Sequence, residues 1–469
     1  MKANFNYIQM IDHALSYSKK HHDRFVDELI ELLRIPSIST DLSYSNHIAH
    51  AADWLVEHLK SLGVNNSKAI QTNGHPIVIG NIEVDPTCPT VLVYGHYDVQ
   101  PADPLEQWTS PPFEPITKDG VLFARGACDD KGQFFMHLKA LESWMQTTGA
   151  PPVNIKFIIE GEEESGSASL PNFISEFRDY LAADVVVISD SSLFAPGIPS
   201  ITYGLRGMTY IELTLTGPDR DLHSGTYGGA IHNPINALAQ LIAQMHDEDH
   251  RILIDGFYDR VRPLSADERK SMAALPFESE KWAQEVGVDI PVTESGYSVL
   301  EASTSRPTLD CNGIWGGYTD DGAKTVLPSK ASAKISMRLV PDQDPDEIAI
   351  LTRSWLESKV PASMAMEFKV LHGAQPVMIN TNSPAMTAAT EALNDVYHRP
   401  PYFMRIGGSI PVVADFKHLL GLDSVLMGFG LDSDAIHSPN EHFGLDRFAE
   451  GIESIIRFHA HYASIEGSK

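Results

Sequence analysis

Four short runs set the terms on which this chain can fold: residues 90–94 (TVLVY), 154–159 (NIKFII), 184–189 (DVVVIS) and 424–428 (SVLMG). Each is β-branched or otherwise apolar on both faces, the pattern of a parallel strand covered by helices on its two sides. Stretches of helical character lie between them, at 132–146 and 170–181. Ahead of them, Phe25, Val26, Leu29, Ile30, Leu32 and Leu33 recur at helical spacing over 23–33, stopped by Pro36. A second helix is expected over 47–62, closed by Gly63. Alternation of strands and helices on this scale is the signature of an α/β domain with a mostly parallel central sheet.

The middle of the chain follows another pattern. Residues 208–216 (MTYIELTLT) and 330–340 (KASAKISMRLV) alternate like half-exposed strands, and 366–371 is a third. Helices are expected at 233–247, with Pro234 in the first turn, and at 344–356. Strand, helix, strand, helix, strand describes a small α+β sandwich of ferredoxin-like type. Residues 255–306 form an irregular, partly helical insert in which Ser265 and Glu268 have the spacing of a capping box. With 469 residues the chain is too long for one ordinary core. The expected division is a discontinuous first domain of residues 1–206 and 378–469, with residues 207–377 inserted as the second.

Charge removes several classes of function. Lys plus Arg is 35 and Asp plus Glu is 62, a formal net charge of −27, which repels phosphate backbones and argues against nucleic acid as a partner. Cys88, Cys128 and Cys311 are the only cysteines, too few and too scattered for a disulfide framework or a thiolate zinc site. The N-terminal stretch is polar, without an apolar signal core, and no run reaches the roughly 18 apolar residues of a membrane span. The expected location is the cytoplasm, with no membrane partner.

In open α/β sheets, ligands bind beyond the carboxyl ends of the strands. His96 and Asp98 follow the first run, Glu162, Glu163 and Glu164 the second, Asp190 the third and His437 the fourth. Asp129 and Asp130 sit in a Gly-flanked loop, ARGACDDKG, that enters a helix. Singly, each has a plainer reading: a solvated acidic loop, a turn cap, a helix cap. Together, imidazole and carboxylate at one sheet edge suit divalent zinc, manganese or cobalt. Five ligands suffice for two ions about 3.5–4 Å apart. His96 and Asp190 would hold one, Glu164 and His437 the other, and Asp129 would bridge. Asp98, two residues after His96, shares its face if the segment is extended, and could accept the second ring N–H of His96.

Ten motifs occur in order: GHYDVQPAD (95–103), LFARGACDDKG (122–132), EGEEESGS (160–167), VVISD (186–190), ITYGLRG (201–207), DLHSGTYGG (221–229), GAKTVLPSK (322–330), ISMRLVPD (335–342), GGSIPVV (407–413) and AIHSPNE (435–441). They resemble the dinuclear metallopeptidase superfamily of carnosinases, aminoacylases and succinyl-diaminopimelate desuccinylases. The likeness is strongest to the carnosinase and cytosolic non-specific dipeptidase branch. The resemblance implies the same five ligands, Asp98 as partner of His96, and Glu163 as general base. It also implies a cis peptide between Asp129 and Asp130, a homodimer in which His223 reaches the partner subunit's active site to stabilise the oxyanion, and substrate contacts from Thr325, Arg338, His372 and Ser409. The second domain then serves as a lid and dimerisation domain.

The expected reaction is hydrolysis of the amide bond of a dipeptide or small peptide by a water bridging two divalent ions per subunit. A guanidinium such as Arg338 suits a C-terminal carboxylate. An N-acyl-amino-acid deacylase of the same superfamily is the alternative, since the metal chemistry is shared and only pocket contacts differ. A non-catalytic peptide- or metal-binding protein is the reading from another class, and an intact Glu163 speaks against it. One departure stands out: the dipeptidase branch often reads Arg-Glu-Gly-Gly-Ser where this chain has Arg405-Ile406-Gly407-Gly408-Ser409. A missing carboxylate there is expected to relax the preference for a free substrate amine.

Overall fold

The computed structural model describes residues 2–466. It comprises two compact units: residues 1–203, 379–403 and 415–469 form the first, and 204–378 with 404–414 the second. The expected division placed all of 378–469 in the first. The stretch 404–414 instead packs with the second, where Arg405 pairs with Glu268 and Ser409 donates to the carbonyl of Arg206 at 2.6 Å.

The first unit is built on strands in the order Lys68–Ile70, Ile77–Ile82, Asn154–Glu160, Thr90–His96, Val185–Ile188, Ser424–Leu426 and Ser200–Leu205. The four runs singled out by their apolar character form its parallel centre. The flanking strands pair antiparallel. The sheet is therefore mixed rather than mostly parallel. Residue pattern reports how deeply a strand is buried, whereas its direction is set by the connections, which leave no local trace. Within the parallel centre His96 lies opposite Glu160, so the carboxyl ends of these strands finish level.

The helix Lys131–Thr148 is buried on all sides from Lys131 to Trp144. Its charged members are paired: the Lys131 ammonium donates to the carbonyls of Leu32 and Ile35, at 3.2 and 2.7 Å, and Lys139 meets Glu28 and Glu142. The helix packs close to the strand end and to the loop that leads into it, and two glycines permit it. A Cβ on Gly132 would stand 1.9 Å from the carbonyl oxygen of Ala127, and one on Gly95 would stand 2.4 Å from the Cβ of Phe134. The long helices Lys2–Lys20 and Leu445–Glu466 pack against it. None of the described helices is long and apolar enough to cross a membrane.

The second unit holds a four-stranded antiparallel sheet in the order Thr308–Gly316, Lys330–Leu339, Gly207–Thr216 and Ala365–Ala374. Its helices Pro234–Ala243 and Pro345–Lys359 start on Asn233 and Asp344, whose side chains accept from the N–H of Ile235 and Glu347. The alternating strands bury Ile211, Leu213, Leu215, Ala333, Ile335 and Met337 against Leu238, Leu241, Trp355 and Leu356. Helix 234–243 ends four residues earlier than expected, at the cap residue Gln244. The capping box of Ser265 and Glu268 is present, and Ser298 with Glu301 makes a second.

Candidate metal centre

The level carboxyl ends gather the acidic and imidazole groups of the first unit. His96 is fully buried at the end of its strand, its Nε2 3.1 Å from Asp129 Oδ1 and 3.8 Å from Asp190 Oδ2. His437, half exposed, places Nε2 2.8 Å from Asp129 Oδ2 and 3.3 Å from Glu164 Oε2. Asp129 thus turns one oxygen to each histidine. Two potential ligand groups follow, His96–Asp129–Asp190 and Asp129–Glu164–His437, with the donor atoms of each within 4.8 Å of one another. The expected cis peptide between Asp129 and Asp130 is present.

Asp98 faces His96 and has a further task. His96 Nδ1 lies 3.1 Å from the backbone oxygen of Asp98 and 3.5 Å from its carboxylate. The carboxylate itself accepts the backbone N–H of Glu163 at 3.3 Å and of Glu164 at 3.0 Å. Asp98 therefore ties the turn carrying both glutamates to the strand end carrying His96.

So many carboxylates in one pocket distort one another's titration. Burial lifts Glu163 to about 8; His96 opposes the shift, and Asp190 and Glu164 add to it. Burial, with Asp129, lifts Asp190 to about 7. Hydrogen bonds to Asp129 and Glu164 raise the His437 ring to about 10. Burial disfavours a charged His96, but its bonds to Asp129 and Asp98 outweigh that and raise it well above the usual imidazole range. These acids are short of positive charge, and divalent cations supply it without adding bulk. Two imidazoles and three carboxylates, arranged as two groups sharing a member, fit a pair of such ions.

Two residues that lie within the quoted motifs, but to which no role was assigned, hold the centre together. Glu441, fully buried, accepts from Arg125 Nη1 at 2.7 Å and from the N–H groups of Gly126, Cys128 and Asp129 at 2.9, 3.0 and 3.1 Å. It pins the Asp129 loop to the segment of His437. Gln100 donates from Nε2 to Glu164 Oε2 at 2.7 Å. Its signal was available, since it continues the every-second-residue series begun by His96 and Asp98.

The remaining candidates all fall in the second unit. His223 is exposed, accepts from the N–H of Gly225 at 3.0 Å, and lies in a short strand paired with the one that follows Thr325. Arg338 and Ser409 meet, Nη1 donating to Oγ at 3.1 Å. His372 is exposed opposite Tyr210, its ring edge-on to that phenol at 5.7 Å between centroids.

A mixed α/β sheet whose strand ends carry this donor set is a candidate metal-dependent hydrolase, and the family match makes it a metallopeptidase. The chain belongs to peptidase family M20/M25/M40, whose model matches residues 92–461. Within the family it falls with the carnosinase and dipeptidase branch. It is 33% identical to the Cys-Gly metallodipeptidase of Schizosaccharomyces pombe over 97% of this chain and 99% of that one. It is 31% identical to the human Beta-Ala-His dipeptidase over 97% and 93% of the two chains. Among solved structures, an M20 family metallo-carboxypeptidase from Sulfolobus solfataricus superposes with a TM-score of 0.83 at 33% identity, covering 94% of this chain and 99% of that one.

Proposed function

We propose that this chain hydrolyses the amide bond of dipeptides or small peptides at a pair of divalent ions, with Glu163 as general base. The observation that carries the reading is the position of Asp129, one oxygen toward each histidine, between two ligand groups. His96 and Asp190 would hold one ion, Glu164 and His437 the other, and Asp129 both; zinc or manganese suits the donors, and cobalt is acceptable to them. When bound, such ions polarise a scissile carbonyl and acidify water to near neutrality.

The protein's own groups do the rest. Glu163 adjoins Glu164, and both backbone N–H groups are fixed by Asp98, so one carboxylate is committed to ligation while its neighbour is left for proton transfer. With two cations beside it, Glu163 would be held as the carboxylate, able to take a proton from the attacking water and return it to the leaving amine. Arg338, oriented by Ser409, is assigned to the substrate's C-terminal carboxylate, with Thr325 and His372 as further contacts. His223, exposed, is assigned as an oxyanion donor supplied across a homodimer, which makes the second unit a lid and dimerisation element. The proposed setting is the cytoplasm. The dipeptidase names of the relatives favour peptides over acyl amino acids as substrates.

The test is a panel of dipeptides and acyl amino acids assayed on stripped protein reloaded with zinc, manganese or cobalt. Dipeptide hydrolysis should require reloading, and Glu163→Ala should lower kcat by about 100- to 10,000-fold with both ions retained. Hydrolysis by stripped protein, or an unimpaired Glu163→Ala, would remove the mechanism.

A further inference from the structure

The segment after His96 is extended and tied on both sides. The N–H of Tyr97 donates to the carbonyl of Glu160 at 2.8 Å, and that of Val99 to the carbonyl of Ser37 at 2.9 Å. Tyr97 and Val99 point into the core and are fully buried, so His96, Asp98 and Gln100 share the opposite face. The first two serve the metal centre, by the distances given above. Gln100 reaches the same centre, its amide 2.7 Å from Glu164 Oε2, the oxygen that also lies 3.3 Å from His437 Nε2.

We propose that Gln100 is a positioning residue that fixes the Glu164 carboxylate for one of the two ions and leaves the other ion unaffected. Glu164 is then held twice from one face of one segment: Asp98 takes its backbone N–H at 3.0 Å, and Gln100 takes its side chain. The Glu164 side chain is only 3% exposed, so water offers little alternative restraint. The choice of an amide follows from the charges nearby. A lysine here would bring its own positive charge against the carboxylates and compete with the cations; an acid would add one more negative charge to Glu163, Glu164, Asp129 and Asp190. A neutral donor orients one carboxylate oxygen and leaves the remaining lone pairs free for ligation. Outer partners of this kind typically set metal affinity by about 10- to 100-fold.

This assignment rests on the two-ion reading above, and one experiment separates their failures. Metal-stripped full-length protein is titrated with Mn(II) by calorimetry, as wild type, Gln100→Met, which keeps the length without the donor, and Gln100→Asn, which keeps the amide but falls short. Unfolding of the stripped proteins is measured alongside. Wild type should bind two ions. Both variants should bind one with wild-type affinity and the other about 10- to 100-fold more weakly, at unchanged stripped-protein stability, with kcat recovering as Mn(II) is raised. Variant isotherms that superimpose on wild type would overturn the assignment alone. So would equal weakening of both ions together with a less stable stripped protein, the mark of a merely structural role. A wild type that does not take up two ions would overturn the two-ion reading and this assignment with it.

Discussion

Replacing Glu441 with glutamine changes one oxygen into an NH2 group and almost nothing in volume. The carboxylate accepts two donors on each oxygen: Arg125 and Gly126 on Oε2, Cys128 and Asp129 on Oε1. Whichever way the amide is turned, two of these four donors face another donor. A hydrogen bond to a charged acceptor contributes about 1.5–3 kcal/mol, so the two lost bonds cost about 3–6 kcal/mol. The buried Arg125, 1% exposed, also loses its counter-ion, which places the true figure toward the upper end. Against a total stability of about 5–15 kcal/mol this is a large fraction. The loss falls on the loop of Asp129, which faces both histidines, so both ions should be held more weakly, in contrast to the single-ion effect of Gln100. Denaturant unfolding of the stripped variant and Mn(II) titration of the intact chain measure the two consequences. A Glu441→Gln protein with a wild-type denaturation midpoint and two wild-type binding constants would refute this account of the loop.

His223→Ala should lose turnover by orders of magnitude while keeping its metal. If the histidine acts in a second subunit's site, mixing it with Glu163→Ala should restore part of the activity; no recovery after verified subunit exchange counts against a shared site. Loading should release protons. The His96 and His437 rings are raised above the ordinary imidazole value, His437 to about 10, and both must be neutral to ligate. Affinity should therefore climb with pH through the neutral range, with at least one proton released per chain at pH 7 by calorimetry in buffers of different ionisation enthalpy; zero net release would contradict it. Arg338→Lys keeps the charge but loses the planar fork, so KM for a dipeptide should rise about 10-fold with kcat less affected. An unchanged KM would remove Arg338 from substrate binding.

What could be read locally was what burial and chemistry demand of single segments. The four central strands were legible because a strand covered on both faces must be apolar on both. Edge strand Thr308–Gly316 escaped notice because most of its residues are exposed and follow no apolar alternation. Ile77–Ile82 and Ser200–Leu205 pair antiparallel at the flanks of the parallel centre, and no pattern within them states that direction. In the site, ligand candidates were legible because few residue types bind divalent ions and they cluster after strands. Glu441 was not, since its part is to hold other residues, and a holding role has no composition of its own; Gln100 was legible only as the next member of the series His96, Asp98.

The sequence by itself marked the candidate donors and the buried strands behind them, because both follow from residue type and spacing within a few positions. Only the folded chain decided that one carboxylate stands between two imidazoles. Asp129 and His437 are 308 residues apart, and His96 is 33 residues from the same aspartate. Their distances depend on strands ending level and on a buried glutamate joining two loops. Those are outcomes of packing across the whole unit, and no short stretch of chain carries them.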